Sequence, residues 1–251
     1  MSAGTVLGGR ALREARRTPD ALIPTLLIPL FFLVVNVGQA GRIFPSGSTP
    51  WLQVQGYAAF QLPSSILLAA SFGTSALYLV EEIGNGYLDK LRATPVSRTS
   101  IALGRLTSEA IKTAGMTLVI VLIALPFGIR ISSGPIGFLL LVALAAGWAV
   151  GYAGFLQFIA LRTRSAAATN SAGLIFFPLL FLTPNFVPRG LLTRPMEIAA
   201  TLNPVTYVME AIRSLILVSF DWPVIGKGFL VVAVFVLAML TLNVRTMSRY
   251  D

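Results

Sequence analysis

The sequence predicts an all-α integral membrane protein with six transmembrane helices, and three observations lead there. Of 251 residues, 55% are hydrophobic and 12% charged, against about 25% charged in an ordinary soluble domain. The acids are absent over long stretches, with no Asp or Glu between Asp20 and Glu81 or between Glu109 and Glu197. An acid near a bilayer centre costs roughly 2.5–3.5 kcal/mol on insertion scales, so such stretches can lie in lipid. Within them run apolar segments, such as 21–37 and 136–161, close to the ~20 residues that a spanning helix needs.

The elements follow in order. Residues 1–18 read as a cytoplasmic interfacial segment. Over 3–17, Val6, Leu7, Ala11, Leu12 and Ala15 share one helical face and Arg10, Arg13, Arg16 and Arg17 surround it. That pattern suits a helix lying in the membrane surface. Thr18-Pro19 reads as an N-cap followed by proline at the first helical position. The predicted spans are 21–39, 57–80, 113–128, 136–161, 169–187 and 226–244, the third being short unless its helix begins earlier in the loop. Pro24, Pro29, Pro63, Pro126, Pro178 and Pro184 fall inside these windows, where they read as kinks whose freed carbonyls are satisfied by neighbours. The basic N-terminus, the apolar run and Gly38-Gln39-Ala40 mimic a signal peptide, but the run exceeds the usual ~7–15 residues and carries two prolines, so it reads as an uncleaved first span.

Placing the N-terminus in the cytoplasm puts thirteen basic residues inside, among them Lys90, Arg92, Arg98, Arg105, Lys112, Arg162 and Arg245. It leaves six outside: Arg42, Arg130, Arg189, Arg194, Arg213 and Lys227. The positive-inside rule then sets both termini in the cytoplasm of a multi-pass protein of a bacterial plasma membrane. The net charge of +9 belongs to these loops at an anionic membrane face and not to a nucleic-acid surface. Two connections exceed simple turns, a cytoplasmic loop over 81–112 and an external, rather apolar segment over 185–225. No internal repeat divides the chain, which reads as one domain over 1–251.

Several function classes are poorly supported. There is no Cys and no His, which removes thiolate metal sites and the usual proton shuttle. No G-x-x-x-x-G-K-[ST] phosphate cradle occurs, so enzyme chemistry and a nucleotide site of its own are not expected. The predicted spans lack carboxylates, which ion-coupled carriers commonly use. What remains in them is neutral: Asn36, Gln61, Gln157, Asn170 and Asn243, read mainly as amides that join helices. Gly147, Gly151 and Gly154 let another helix approach the fourth span closely, within the subunit or across a pair.

Attention therefore turns to the cytoplasmic loop. Glu81-Glu82-Ile83-Gly84-Asn85-Gly86 offers a helix stop. Residues 87–93 make two helical turns, and Thr94-Pro95 ends them. Ser97 or Thr99 can cap the helix leading to the third span. The product is a short helix bracketed by breaks, with Leu88 and Leu91 exposed to a partner.

The stretch Glu81-Glu82-x-x-x-Gly86-x-x-x-x-Leu91-Arg92-Ala93-Thr94-Pro95-Val96-Ser97-Arg98 resembles the loop of type-2 ABC transporter membrane subunits. Leu202-Asn203-Pro204-Val205-Thr206-Tyr207-Val208-Met209-Glu210-Ala211-Ile212-Arg213 is similar to the stretch that the family carries before its last span. The likeness is to the daunorubicin-resistance type of exporter permease. Around Arg194-Pro195-Met196 the chain departs from the family, lacking a Trp found in many relatives.

The resemblance implies that Glu81, Glu82, Gly86, Leu91, Thr94, Pro95 and Arg98 form the element that takes force from a separate ATPase subunit, which would dock on Leu88 and Leu91. Asn203, Pro204, Tyr207 and Arg213 would belong to an external, partly embedded lid, and Arg213 alone could equally be an interfacial headgroup anchor. ATP and Mg2+ would sit on the partner, with no cofactor on this chain. Two such permeases, identical or homologous, would face each other in the lipid and work by alternating access. The expected cargo is an amphipathic drug, lipid or lipid-like compound leaving the cell. A secondary carrier or channel, or a non-transporting scaffold, is the rival reading.

Overall fold

The computed structural model describes residues 19–45, 47, 50, 52, 55–73, 75–87 and 98–248, giving only the helical backbone for 19–24, 98–102 and 248. The described residues are mostly helical, without strands. In chain order the helices are α1 (Pro19–Ala40), α2 (Tyr57–Ser71), α3 (Ser75–Gly84), α4 (Arg98–Ala124), α5 (Gly134–Thr163), α6 (Ala166–Gly173), α7 (Phe176–Phe181), α8 (Arg194–Leu202), α9 (Pro204–Leu217) and α10 (Trp222–Ser248). The predicted surface helix over 3–17 lies outside the described residues.

Four stretches are long and apolar enough to cross a membrane: Tyr57–Gly84, Leu103–Phe127, Gly134–Thr163 and Trp222–Met247. These answer to the second, third, fourth and sixth predicted spans. The first and fifth windows hold shorter apolar helices, Thr25–Ala40 and Ala166–Phe181.

Two of the predicted spans are interrupted. The second breaks after α2, at residues 72 and 73. The fifth breaks between α6 and α7. There Leu174 N–H donates to the Ser171 carbonyl (3.2 Å), Ile175 N–H to Ala172 (3.2 Å) and Phe177 N–H to Leu174 (3.1 Å). This tightening to three-residue spacing passes the chain around Pro178, which has no N–H to give. The third span belongs to a helix that begins within the loop, the alternative its short window left open. Its apolar stretch starts at Leu103, not 113, so it contains Glu109.

Helix α5 is the hub. Its 30 residues extend ~45 Å at 1.5 Å per residue, enough to pass the ~30 Å hydrocarbon layer. Gly134 and Pro135 start it. At its other end Arg164 takes a left-handed cap (φ 52°) whose N–H donates to the Ala160 carbonyl at 2.9 Å. Ser165 turns the chain into α6 by accepting from Ala168 N–H at 3.2 Å. Leu141, Leu144, Ala145, Trp148, Tyr152 and Ala160 of α5 are buried, and α2, α3, α4, α6, α9 and α10 all pack on it.

The glycine face of α5 lies against α10 of the same chain. A Cβ on Gly147 would stand 2.5 Å from Val232 Cγ1, one on Gly151 2.5 Å from Phe235 Cδ1, and one on Gly154 2.9 Å from Met239 Cβ. The seam the sequence left open, within the subunit or across a pair, is thus used within the subunit. Asn243 of α10 closes it by donating to the Gly154 carbonyl at 2.8 Å.

Candidate functional site

The break after α2 is organised by one buried acid. A Cβ on Gly73 would lie 3.6 Å from the Glu109 carboxylate, in ordinary van der Waals contact with α4. Glu109, 3% exposed, accepts from Ser75 N–H at 3.0 Å and so caps the first turn of α3, where unpaired N–H groups and the positive helix end favour an anion. Lys112, one turn on, donates to the same oxygen at 2.8 Å. This ion pair and cap are what let an acid sit within an apolar span. Ser71 ends α2 by donating to the Leu67 carbonyl (2.8 Å) while accepting from Trp148 Nε1 (2.9 Å).

At the other end of α3, Glu82 pairs with Arg105 of α4. Helix α3 is therefore held on α4 at both ends, through Glu109 above and Arg105 below. Helix α3 stops at Gly84. Asn85 Oδ1 accepts from Tyr87 N–H at 3.1 Å, and Gly86 has φ +71°, the left-handed region that glycine enters freely. Glu81 is exposed on the same turn. Of the remaining predicted coupling residues, Leu88, Leu91, Thr94 and Pro95 lie outside the described residues. Arg98 opens α4, and Ser97, the expected cap, lies outside the described residues.

The second predicted group lies on and before α9. Asn203 caps this helix, its Oδ1 accepting from Val205 N–H at 3.0 Å, with Pro204 at the first turn. Its Nδ2 also donates to the Leu179 carbonyl of α7 at 2.6 Å. The Tyr207 hydroxyl donates to the Thr201 carbonyl of α8 at 2.7 Å. With 14 residues α9 is shorter than a span, yet all but three are buried, against α2, α5 and α10. Its end carbonyls would be unsatisfied there. The turn between α4 and α5 satisfies them: Ser132 N–H donates to Ile216 (3.1 Å) and Ser133 Oγ to Leu215 (2.7 Å). Gln55 Nε2 adds a bond to Ile216 at 2.9 Å.

Arg213 packs inward and also borders a cavity. It is 8% exposed, its Cζ 3.6 Å from the centre of the Phe60 ring. Its Nε donates to the Phe60 carbonyl (3.2 Å) and its Nη1 to the Pro184 carbonyl (3.0 Å). The residue ties α9 to α2 and to the segment after α7.

Four of the five span amides join elements. Asn36 Nδ2 donates to Gln61 Oε1 at 3.5 Å. Gln61 Nε2 donates to the Tyr57 hydroxyl (2.7 Å) and the Asn185 carbonyl (3.0 Å). Gln157 Nε2 meets Ser75 Oγ at 3.4 Å, and Asn243 closes the glycine seam. Asn170 is different: it is exposed and lines a cavity of about 420 Å³ between the two helix breaks, with Thr25, Ser71, Gly73, Thr169 and Ser171.

Sequence reasoning missed Glu109, the Ser132–Ser133 cap and Gln55. The signals were present in Phe72-Gly73-Thr74-Ser75, a helix breaker followed by capping residues, and in the Glu109/Lys112 spacing.

Apolar helices packed around one central helix, two of them broken inside the bundle, define a polytopic membrane protein whose interior is built around discontinuous spans. The profile of the ABC-2 type transporter family matches residues 5–217, and the chain belongs to that family. It is similar to the daunorubicin resistance ABC transporter permease protein DrrB1 of Streptomyces coeruleorubidus, 24% identical over 213 residues, covering 82% of this chain and 72% of the relative. It is also similar to the probable doxorubicin resistance ABC transporter permease protein DrrC of Mycobacterium tuberculosis, 24% identical over 208 residues, covering 81% and 73%.

Proposed function

We propose that this chain is the membrane-spanning permease subunit of an ATP-driven exporter, moving an amphipathic drug, lipid or lipid-like compound out of the cell with energy from a separate ATPase subunit. The family match over most of the chain carries this reading, and the two drug-resistance relatives support the cargo class. ATP and Mg2+ belong to the partner. Both termini and the 81–112 loop face the cytoplasm of a bacterial plasma membrane, the six hydrophobic segments all cross it, and a second permease completes the path.

The geometry supports a coupling route. Because Glu82–Arg105 and Glu109–Ser75 bind α3 to α4 at both ends, the loop between them sits on a two-helix lever. A push on that loop tilts the pair as a unit. The displacement is taken up at residues 72 and 73, which are not helical. The 420 Å³ cavity opens at this break. Its hydroxyls and the Asn170 amide among apolar walls suit the neutral polar groups of an amphipathic cargo. The segment containing Asn203, Pro204, Tyr207 and Arg213 acts as the external lid. Proton coupling is disfavoured, since Glu109, the acid most deeply placed, is already neutralised by Lys112.

Inside-out vesicles containing this chain and its ATPase should accumulate an amphipathic dye such as doxorubicin with ATP, and vanadate should abolish the uptake. Uptake driven by a proton gradient without ATP would favour a secondary carrier. No uptake under either condition, for any amphipathic compound that binds, would favour a scaffold.

A further inference from the structure

Beside Arg213 lies a second cavity, of about 390 Å³, bounded by Phe60, Arg189, Glu210, Arg213, Leu217 and Val224 among others. Its charges do not balance. Arg189 grips both oxygens of Glu210, through Nε at 3.1 Å and Nη2 at 2.8 Å. Arg213 then holds its charge against neutral partners, two carbonyls and the Phe60 ring face. Glu210 is within electrostatic reach but shared between two guanidiniums. Arg213 Nη2, sealed from solvent, has no hydrogen-bond partner among the described residues. The cavity thus carries two cations and one anion. A buried cation without its own counter-charge is costly, and the low dielectric that makes it costly also strengthens its attraction for an anion.

Apart from Ser214 the remaining wall is apolar, formed by Pro188, Leu217, Val218 and Val224. A small hydrated anion gains nothing from that wall, whereas an anion borne on an apolar body does. The guanidinium charge is delocalised, so an anion in the cavity compensates it without touching Nη2. We propose that this cavity binds the anionic headgroup of a phospholipid, a phosphodiester supplying the missing charge while its glycerol and upper acyl chain lie along Leu217 and Val224. Occupancy would steady the contact of α9 with α2 and with the segment after α7, which Arg213 makes. The inference concerns this chain alone and does not depend on the ATPase.

Native mass spectrometry of the full chain in detergent, titrated with dioleoyl phosphatidylglycerol, dioleoyl phosphatidylcholine and inorganic phosphate, tests it. Wild type should bind phosphatidylglycerol at least tenfold more tightly than phosphatidylcholine of the same chains. Arg213→Gln should lose that preference and Arg213→Lys keep part of it. Because Arg213→Gln also removes bonds to two carbonyls and can unfold the chain, Val224→Trp serves as a second variant; it fills the cavity with Arg213 intact and should lose phosphatidylglycerol binding. Equal affinity for the two lipids, unchanged phosphatidylglycerol binding in a folded Arg213→Gln or in Val224→Trp, or competition by inorganic phosphate at equal concentration would overturn the proposal.

Discussion

Replacing Gly151 by alanine tests the packing on which the whole bundle is built. The new Cβ would lie 2.5 Å from Phe235 Cδ1, 3.0 Å from Cε1 and 3.2 Å from Cγ. All three are inside ordinary carbon–carbon contact of ~3.5–4.0 Å. The Phe235 ring cannot swing away freely, because it stacks on Trp148 with centroids 5.2 Å apart, and Trp148 is fixed by its bond to Ser71. Either α10 moves off α5 or the aromatic stack is disturbed, at about 1–3 kcal/mol for overpacking. Alanine's better helix propensity returns roughly 0.5–1 kcal/mol. The net loss is about 0–2.5 kcal/mol, centred on about 1 kcal/mol, roughly a fivefold fall in the folded-to-unfolded ratio. Gly226→Ala on α10 meets nothing within 4 Å and should be neutral or slightly stabilising. Equilibrium unfolding in mixed dodecyl maltoside and dodecyl sulfate, followed by tryptophan fluorescence, measures both. Equal stability of the two variants would refute the close seam. A loss that depends on protein concentration would place the seam between chains instead.

Three further outcomes follow from the same geometry. Glu109→Ala removes the cap of α3 and one ion pair of Lys112, and should cost about 1–3 kcal/mol; Glu109→Gln, which keeps an acceptor for Ser75 N–H, should recover part of it, as read by thermal unfolding in detergent. Asn203→Ala removes a cap bond to Val205 and one to Leu179 and should lower stability by about 1–2 kcal/mol by the same assay. Glu82→Arg should cut cargo-stimulated ATP hydrolysis by the assembled complex, and adding Arg105→Glu should restore a good part of it. If the double variant is no better than the single one, the α3–α4 lever is not what carries the force.

The membrane class was legible because lipid imposes a simple rule on acids and length, and Asp20-to-Glu81 and Glu109-to-Glu197 obey it. The ends of α1 at Pro19 and α3 at Gly84 were readable from proline and glycine chemistry, which is local. What failed was non-local. Span three was started at 113 because Glu109 and Lys112 look like loop charges one at a time. They are tolerated in an apolar stretch because they meet each other and the open end of α3, a helix separated from them by more than twenty residues. Likewise Ser132 and Ser133 look like ordinary turn residues until α9 delivers its unpaired carbonyls to them. Arg213 was recognisable from its motif, but its burial against Phe60 depends on how α2 and α9 pack. Gly147, Gly151 and Gly154 announced a close helix contact, and only the fold identified α10 as the partner.

The central claim is that the loop after α3 receives mechanical work from a nucleotide-hydrolysing partner. A photo-reactive amino acid placed at Leu91, in cells making this chain with its ATPase, measures that directly. The account predicts an ultraviolet-dependent adduct with the ATPase subunit that changes in yield when ATP is trapped with vanadate. An adduct only with lipid or with proteins of the outer side, or labelling of Leu91→Cys by a membrane-impermeant reagent added outside intact cells, would contradict it.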